Sequence, residues 1–179
     1  MHKHLLGVAL ILSVLAAAAW TGDENPLKKA NVGDWVSYKG TNEAGGMKMD
    51  MEMKQTVIKK TDTEITLEIV QKVMGQEVKT TQTINLTEKY DPRTVSLKDK
   101  GDVTMKELEK GEETLTVAGK SLKTTWVSYE MSTTMGGQPM TIKGKAWTCP
   151  DVPLSGMVKT VSDMGAAKMT LELSGFGTK

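Results

Sequence analysis

From Met47 to Lys54 the chain reads "MKMDMEMK", with an apolar side chain at every second position. On an extended strand Met47, Met49, Met51 and Met53 share one face, and Lys48, Asp50, Glu52 and Lys54 share the other. The same period of two runs through Ile65, Leu67 and Ile69, through Val78, Ile84 and Leu86, and through Met169, Leu171 and Leu173. Such alternation marks half-buried antiparallel strands. Glycine-bearing breaks separate the runs at Gly45-Gly46, Gly75-Gln76, Ala118-Gly119, Gly136-Gly137 and Gly165-Ala166. Glycine supplies the positive φ that a tight hairpin needs. The pattern predicts strands over 33–41, 47–59, 62–73, 77–87, 112–118, 121–134, 139–148, 156–163 and 167–175.

The expected fold is therefore all-β, with about nine antiparallel strands in a curved sheet, open barrel or two-layer sandwich. Two stretches break the pattern. "ENPLKKANVGD" has room for one helical turn before the first strand. The charged, poorly periodic run from Tyr90 to Glu113 reads as an exposed crossover near 90–112, with a short helix at Met105–Lys110. The hairpins that follow a methionine, in "VMGQEV", "TMGGQPM" and "DMGAAKM", look like one turn type reused rather than a duplication.

Before all this stands "MHKHLLGVALILSVLAAAAW". A short basic start, an apolar run and four alanines form the layout of a signal helix with an Ala-x-Ala cleavage site. The apolar stretch from Leu5 to Trp20 is 16 residues, short of the ~20 that span a bilayer. The expectation is a signal peptide over 1–19, a single β domain over 20–179, and export to the periplasm or beyond.

Removal of Lys3 leaves 22 basic against 22 acidic residues, a balance that argues against a nucleic-acid partner. Both histidines, His2 and His4, lie in the leader. Their loss removes the usual Ser-His-Asp and Cys-His systems and the imidazole ligands of most catalytic zinc sites. Cys149 stands alone, so no intramolecular disulfide forms, and nothing nearby activates its thiol. No cofactor or metal is expected.

Three kinds of residue remain as candidates. The methionine ladder would suit Cu(I), which thioethers bind. Same-face neighbours on one strand, however, stand ~6.6 Å apart at two rises of ~3.3 Å, so a second strand must supply the other ligand. The plainer reading makes Met47, Met49, Met51 and Met53 an adaptable apolar lining. The aromatics Trp35 and Trp126 open two copies of "WVSY". Residues three apart on a strand face opposite ways, so one aromatic of each copy packs inward and the other covers an outer face. The carboxylates Asp34, Asp91 and Asp151 are what a hydrolase would have to use. In "WTCPDVPLSGMVK" the prolines exclude a central strand, and the stretch reads as a corner between two strands.

"VGDWVSYKG" and "AWTCPDVPLSGMVK" together resemble a group of uncharacterised exported bacterial proteins with an early G-D-W-V-x-Y and a late W-x-x-x-D-V-P-x-G-x-V-K. Gly33, Asp34, Trp35, Val36 and Tyr38 match the first pattern. Trp147, Asp151, Val152, Pro153, Gly156, Val158 and Lys159 match the second. More distantly the layout is similar to the LolA-like periplasmic half-barrels. The resemblance implies an exported protein and brings no activity with it. The expected function is non-catalytic binding of a lipid or other apolar or amphipathic ligand, or of another envelope component. Tentative ligand contacts are the four methionines with Trp35 and Trp126. Cu(I) binding and carboxylate hydrolysis are the alternatives.

Overall fold

A computed structural model describes residues 25–88, 103–135 and 138–178. The expected leader at 1–19, Asp91 and the expected Gly136-Gly137 turn lie outside those residues. A 3-10 turn at Pro26–Lys29 precedes nine strands: β1 Trp35–Ala44, β2 Met47–Lys60, β3 Glu64–Val73, β4 Gln76–Asn85, β5 Thr104–Val117, β6 Lys120–Met135, β7 Gln138–Thr148, β8 Met157–Asp163 and β9 Ala167–Gly177.

All nine form one antiparallel sheet in the order β4-β3-β2-β1-β9-β8-β7-β6-β5. Every neighbouring pair but one is consecutive in sequence. The exception, β1 with β9, joins the first strand to the last at the centre of the sheet. The fold is a meander left open between β4 and β5. It is strongly curved. A flat sheet would hold β5 about 19 Å from β9, at ~4.8 Å per strand. Instead β5 approaches β9 to within 8 Å. The Lys120 ammonium at the β5–β6 turn sits 4.2 Å over the Phe176 ring at the end of β9.

Period-two alternation sets the inner face. Val36 and Tyr38 of β1, Met51, Met53 and Val57 of β2, and Ile65 and Leu67 of β3 are buried. In the same core cluster are Val127, Tyr129 and Met131 of β6, Ile142 of β7, and Met169, Leu171 and Leu173 of β9. Full burial of each such side chain stabilises by ~1.5–3 kcal/mol. Glycines make room for the largest. A Cβ at Gly144 would lie 2.3 Å from Tyr129 Cζ, so the phenol ring fills the place of a side chain there.

The outer face is polar. One row crosses six strands with alternating charge: Lys159 opposite Glu172, then Lys39, Glu52, Lys72 and Glu77. Lys159 and Glu172 are 2.9 Å apart, and Lys39 and Glu52 3.5 Å. Opposite charges facing across strands favour this register.

The hairpins bear out the glycine reading. Gly45-Gly46, Met74-Gly75 and Ala118-Gly119 all have both turn residues at positive φ, the type I′ signature that matches strand twist. The largest departure is β5. The region expected to hold a short helix at Met105–Lys110, inside a crossover reaching 112, is strand from Thr104 onward. The strand lies at a sheet edge, is exposed on both faces along most of its length, and carries a register shift between Glu107 and Lys110. Exposure removes the apolar alternation, and the shift interrupts what phase remains.

Candidate binding cleft

Strand directions divide the turns between two ends. One end carries the Gly45-Gly46, Met74-Gly75 and Gly165-Ala166 hairpins. The other carries the 3-10 turn, the β2–β3 turn, the β5–β6 turn and the β7–β8 corner. This second end holds the candidate site.

The 3-10 turn is tied down at both of its ends. Asn25 Oδ1 accepts from Leu27 N at 3.0 Å, and its Nδ2 donates to Asn85 O at 3.2 Å and Glu88 O at 3.3 Å. Pro26 at the first position gives up no useful donor. At the far end Lys60 Nζ donates to Lys28 O and Ala30 O, each at 2.6 Å, satisfying carbonyls that would otherwise lack partners. Gly33 N donates to Val57 O and Val57 N to Asp34 O, both at 2.9 Å, which leads the chain into β1. Asp34 Oδ2 accepts from Asn31 N at 2.8 Å. Its Oδ1 is closed to solvent and has no hydrogen-bond partner among the described residues.

The β7–β8 corner is "CPDVPLSG". Cys149 N donates to Gly156 O at 2.8 Å, and Val152 N to Cys149 O at 3.2 Å. Leu154 and Gly156 adopt positive φ, and a Cβ at Gly156 would press on Cys149 O at 3.0 Å. Val152, Leu154 and Cys149 are buried, as the corner reading of this stretch requires.

Between the two segments lies a cleft of about 400 Å³. Pro26, Lys29, Ala30 and Asp34 form one wall, 150–154 and Gly156 the other, and 176–178 the floor. The volume falls in the range of small-molecule sites, and most lining side chains are apolar. Lys29 and Asp151 are exposed at the rim. A second, larger depression of about 590 Å³, over Lys39, Glu52 and Glu172, belongs to the ion-paired outer row.

The two sequence patterns, more than 100 residues apart, meet here. Asp34 stands on one side, and Asp151-Val152-Pro153 with Gly156 on the other. Of the three candidate carboxylates, Asp34 and Asp151 both line the cleft. Asp34 has one oxygen engaged by a backbone N–H and the other sealed from solvent, an arrangement that holds a loop rather than meeting a substrate.

The methionines and tryptophans named from the sequence are not brought together. Met51 and Met53 are buried in the core, and Met53 Sδ accepts from Gln71 Nε2 at 3.9 Å. Met49 is half-buried, and Met47, beside the hairpin, is 67% exposed. Trp35 and Trp126 lie on the opposite, outer face. Lys54 Nζ is 4.8 Å from the Trp35 ring, and Lys145 Nζ 3.7 Å from the Trp126 ring. Among the described residues no group of three or more His, Cys, Asp or Glu is placed to hold a metal. Sequence reasoning missed Pro26, Ala30 and Phe176 as cleft residues; the Pro-rich corner was the only local hint.

No protein-family model matches the chain, and no curated protein does. Solved structures of like fold do exist. One is a Bacteroides fragilis protein proposed to be exported and described as having a YmcC-like fold. It has 10% identity and a TM-score of 0.50, over 83% of this chain and 97% of that one. Another is a protein of Parabacteroides distasonis proposed to be a lipoprotein. It has 14% identity and a TM-score of 0.51, over 87% of this chain and 100% of that one. At these identities the likeness is one of fold.

Proposed function

We propose that the protein is an exported, non-catalytic binding protein that holds a small apolar or amphipathic ligand in the cleft between the N-terminal turn and the β7–β8 corner. The observation that carries this reading is the cleft itself: about 400 Å³, with apolar walls, where Asp34 of the first sequence pattern meets the corner of the second. The leader layout at 1–19 supports export, as does the description of the two proteins of like fold as exported and as a lipoprotein. A ligand with an apolar body would bury its tail against Pro26, Val152, Leu154 and Phe176 and leave its polar end at Lys29 and Asp151.

Native mass spectrometry of protein purified from its own host tests the reading. The expected result is an added small-molecule mass that disappears on denaturation, and that is lost in Pro153→Trp, whose indole fills the cleft. A ligand-free parent that hydrolyses a panel of esters or glycosides would replace the binding reading with the carboxylate one. Tight Cu(I) uptake by the ligand-free parent would replace it with the thioether one.

A further inference from the structure

Among the described residues the sheet has two free edges, β4 and β5, and they are built differently. Edge strands offer unpaired N–H and C=O groups to any other strand, and proteins usually blunt them. β5 is blunted by its register shift and by charges at Lys106, Glu107, Glu109 and Lys110. β4 is not. It pairs with β3 over ten residues without a shift, contains no proline or glycine, and is rich in strand-forming threonine. It also exposes Val78, 56% accessible, an apolar side chain with no cover among the described residues.

We infer that β4 is the contact strand of a two-fold dimer, joining antiparallel to β4 of a second copy about an axis at Val78. The argument for a second copy rather than a foreign strand is charge. The alternating outer row ends at this edge on Glu77. A two-fold axis at Val78 sets Glu77 opposite Lys79 of the second copy, and Lys79 opposite its Glu77. The row then gains one further member of alternating sign, Lys79 of the second copy, whose ammonium in its own subunit lies 2.6 Å from Glu68. The same axis stacks Val78 on its own equivalent, covering that exposed side chain. Like charges directly opposite would be destabilising, and no other centre on the strand pairs both charges at once.

Sedimentation velocity of the exported chain over a wide concentration range reads the association directly. The parent is expected to dimerise. Glu77→Lys and Lys79→Glu should each weaken the dimer by about tenfold, because the symmetry repeats every repulsive contact. Mixed one to one, the two single variants should restore association as a heterodimer, since the charges across the axis are then again opposite. Val78→Cys should give a disulfide-linked dimer under mild oxidant, since directly opposed strand residues have a suitable Cα spacing. Cys149 is buried and stays out of the reaction. Thr83→Cys, away from the axis, should not cross-link. A parent that is monomeric throughout overturns the inference, and an edge held by the protein's own chain would give that result. A dimer that fails either the charge rescue or the Val78→Cys cross-link overturns it equally.

Discussion

Trp-Val-Ser-Tyr occurs twice, at 35–38 in β1 and at 126–129 in β6, and the two copies have nearly the same local structure in different settings. In both, the tyrosine points inward and is 1% exposed, and the tryptophan points outward. Each tryptophan faces a cross-strand glycine, Gly177 for Trp35 and Gly111 for Trp126. Each serine hydroxyl donates to a carbonyl two residues before that glycine, Gly175 O at 3.3 Å and Glu109 O at 3.4 Å. Beside each serine the partner strand carries an extra residue. What differs is the company. Trp35 sits at the middle of the sheet opposite Thr56. Trp126 sits opposite Trp147, with Lys145 Nζ between the rings at 3.7 and 4.7 Å and Glu113 accepting from Trp147 Nε1. The four-residue word fixes facing and bulge. The neighbouring strands decide how tightly the result is packed.

Substitutions can separate the shared part from the local part. Tyr38→Ala and Tyr129→Ala should both lose about 3–5 kcal/mol in urea unfolding, as for other buried aromatics cut to Ala. A loss under about 1 kcal/mol at either site would end the claim that the two tyrosines are equivalent anchors. Gly144→Ala should cost about 2–3 kcal/mol through the Tyr129 ring, whereas Tyr38, facing Met53 and Leu173, has no glycine in that position. An unchanged unfolding midpoint would show that the ring can move aside. Next comes the pair of glycines under the tryptophans. A Cβ at Gly111 lies 2.7 Å from the Trp126 ring, but one at Gly177 lies 3.3 Å from Trp35. Gly111→Ala is expected to cost about 1–2 kcal/mol and Gly177→Ala about 0.5 kcal/mol or less, and equal melts would erase the distinction in packing. The smallest effect belongs to the lysines. Lys145→Ala should lose about 1 kcal/mol and Lys54→Ala less, with indole fluorescence changing more for Lys145→Ala.

The strands legible in the sequence are those with one wet face. β2 was expected over 47–59 and runs Met47–Lys60, because Met51 and Met53 keep a strict phase against charged neighbours and Val57 continues it. β5 was legible only in part, as strand over 112–118; its first half, exposed on both faces and crossed by the register shift, has no phase to read. The upper methionines show a related limit. Alternation assigns Met47 and Met51 to one face, but not how far along the strand the core extends, and Met47 stands beyond it. The corner at Pro150–Pro153 was legible from its prolines. The cleft was not, since its opposite wall comes from the other end of the chain and only β1–β9 pairing brings them together.

That central pairing also orders events in time. The strand that joins the two halves is made after the other eight. Until β9 emerges, β1–β4 and β5–β8 are two separate ribbons, each with an inner edge waiting for a neighbour. Contacts between residues so distant along the chain form slowly, because the intervening loop must close before any pairing rewards it. A chain stopped before Ala167 would therefore lose more than an edge. It would lose the seam, and both ribbons would be left with exposed backbone along their most apolar flanks.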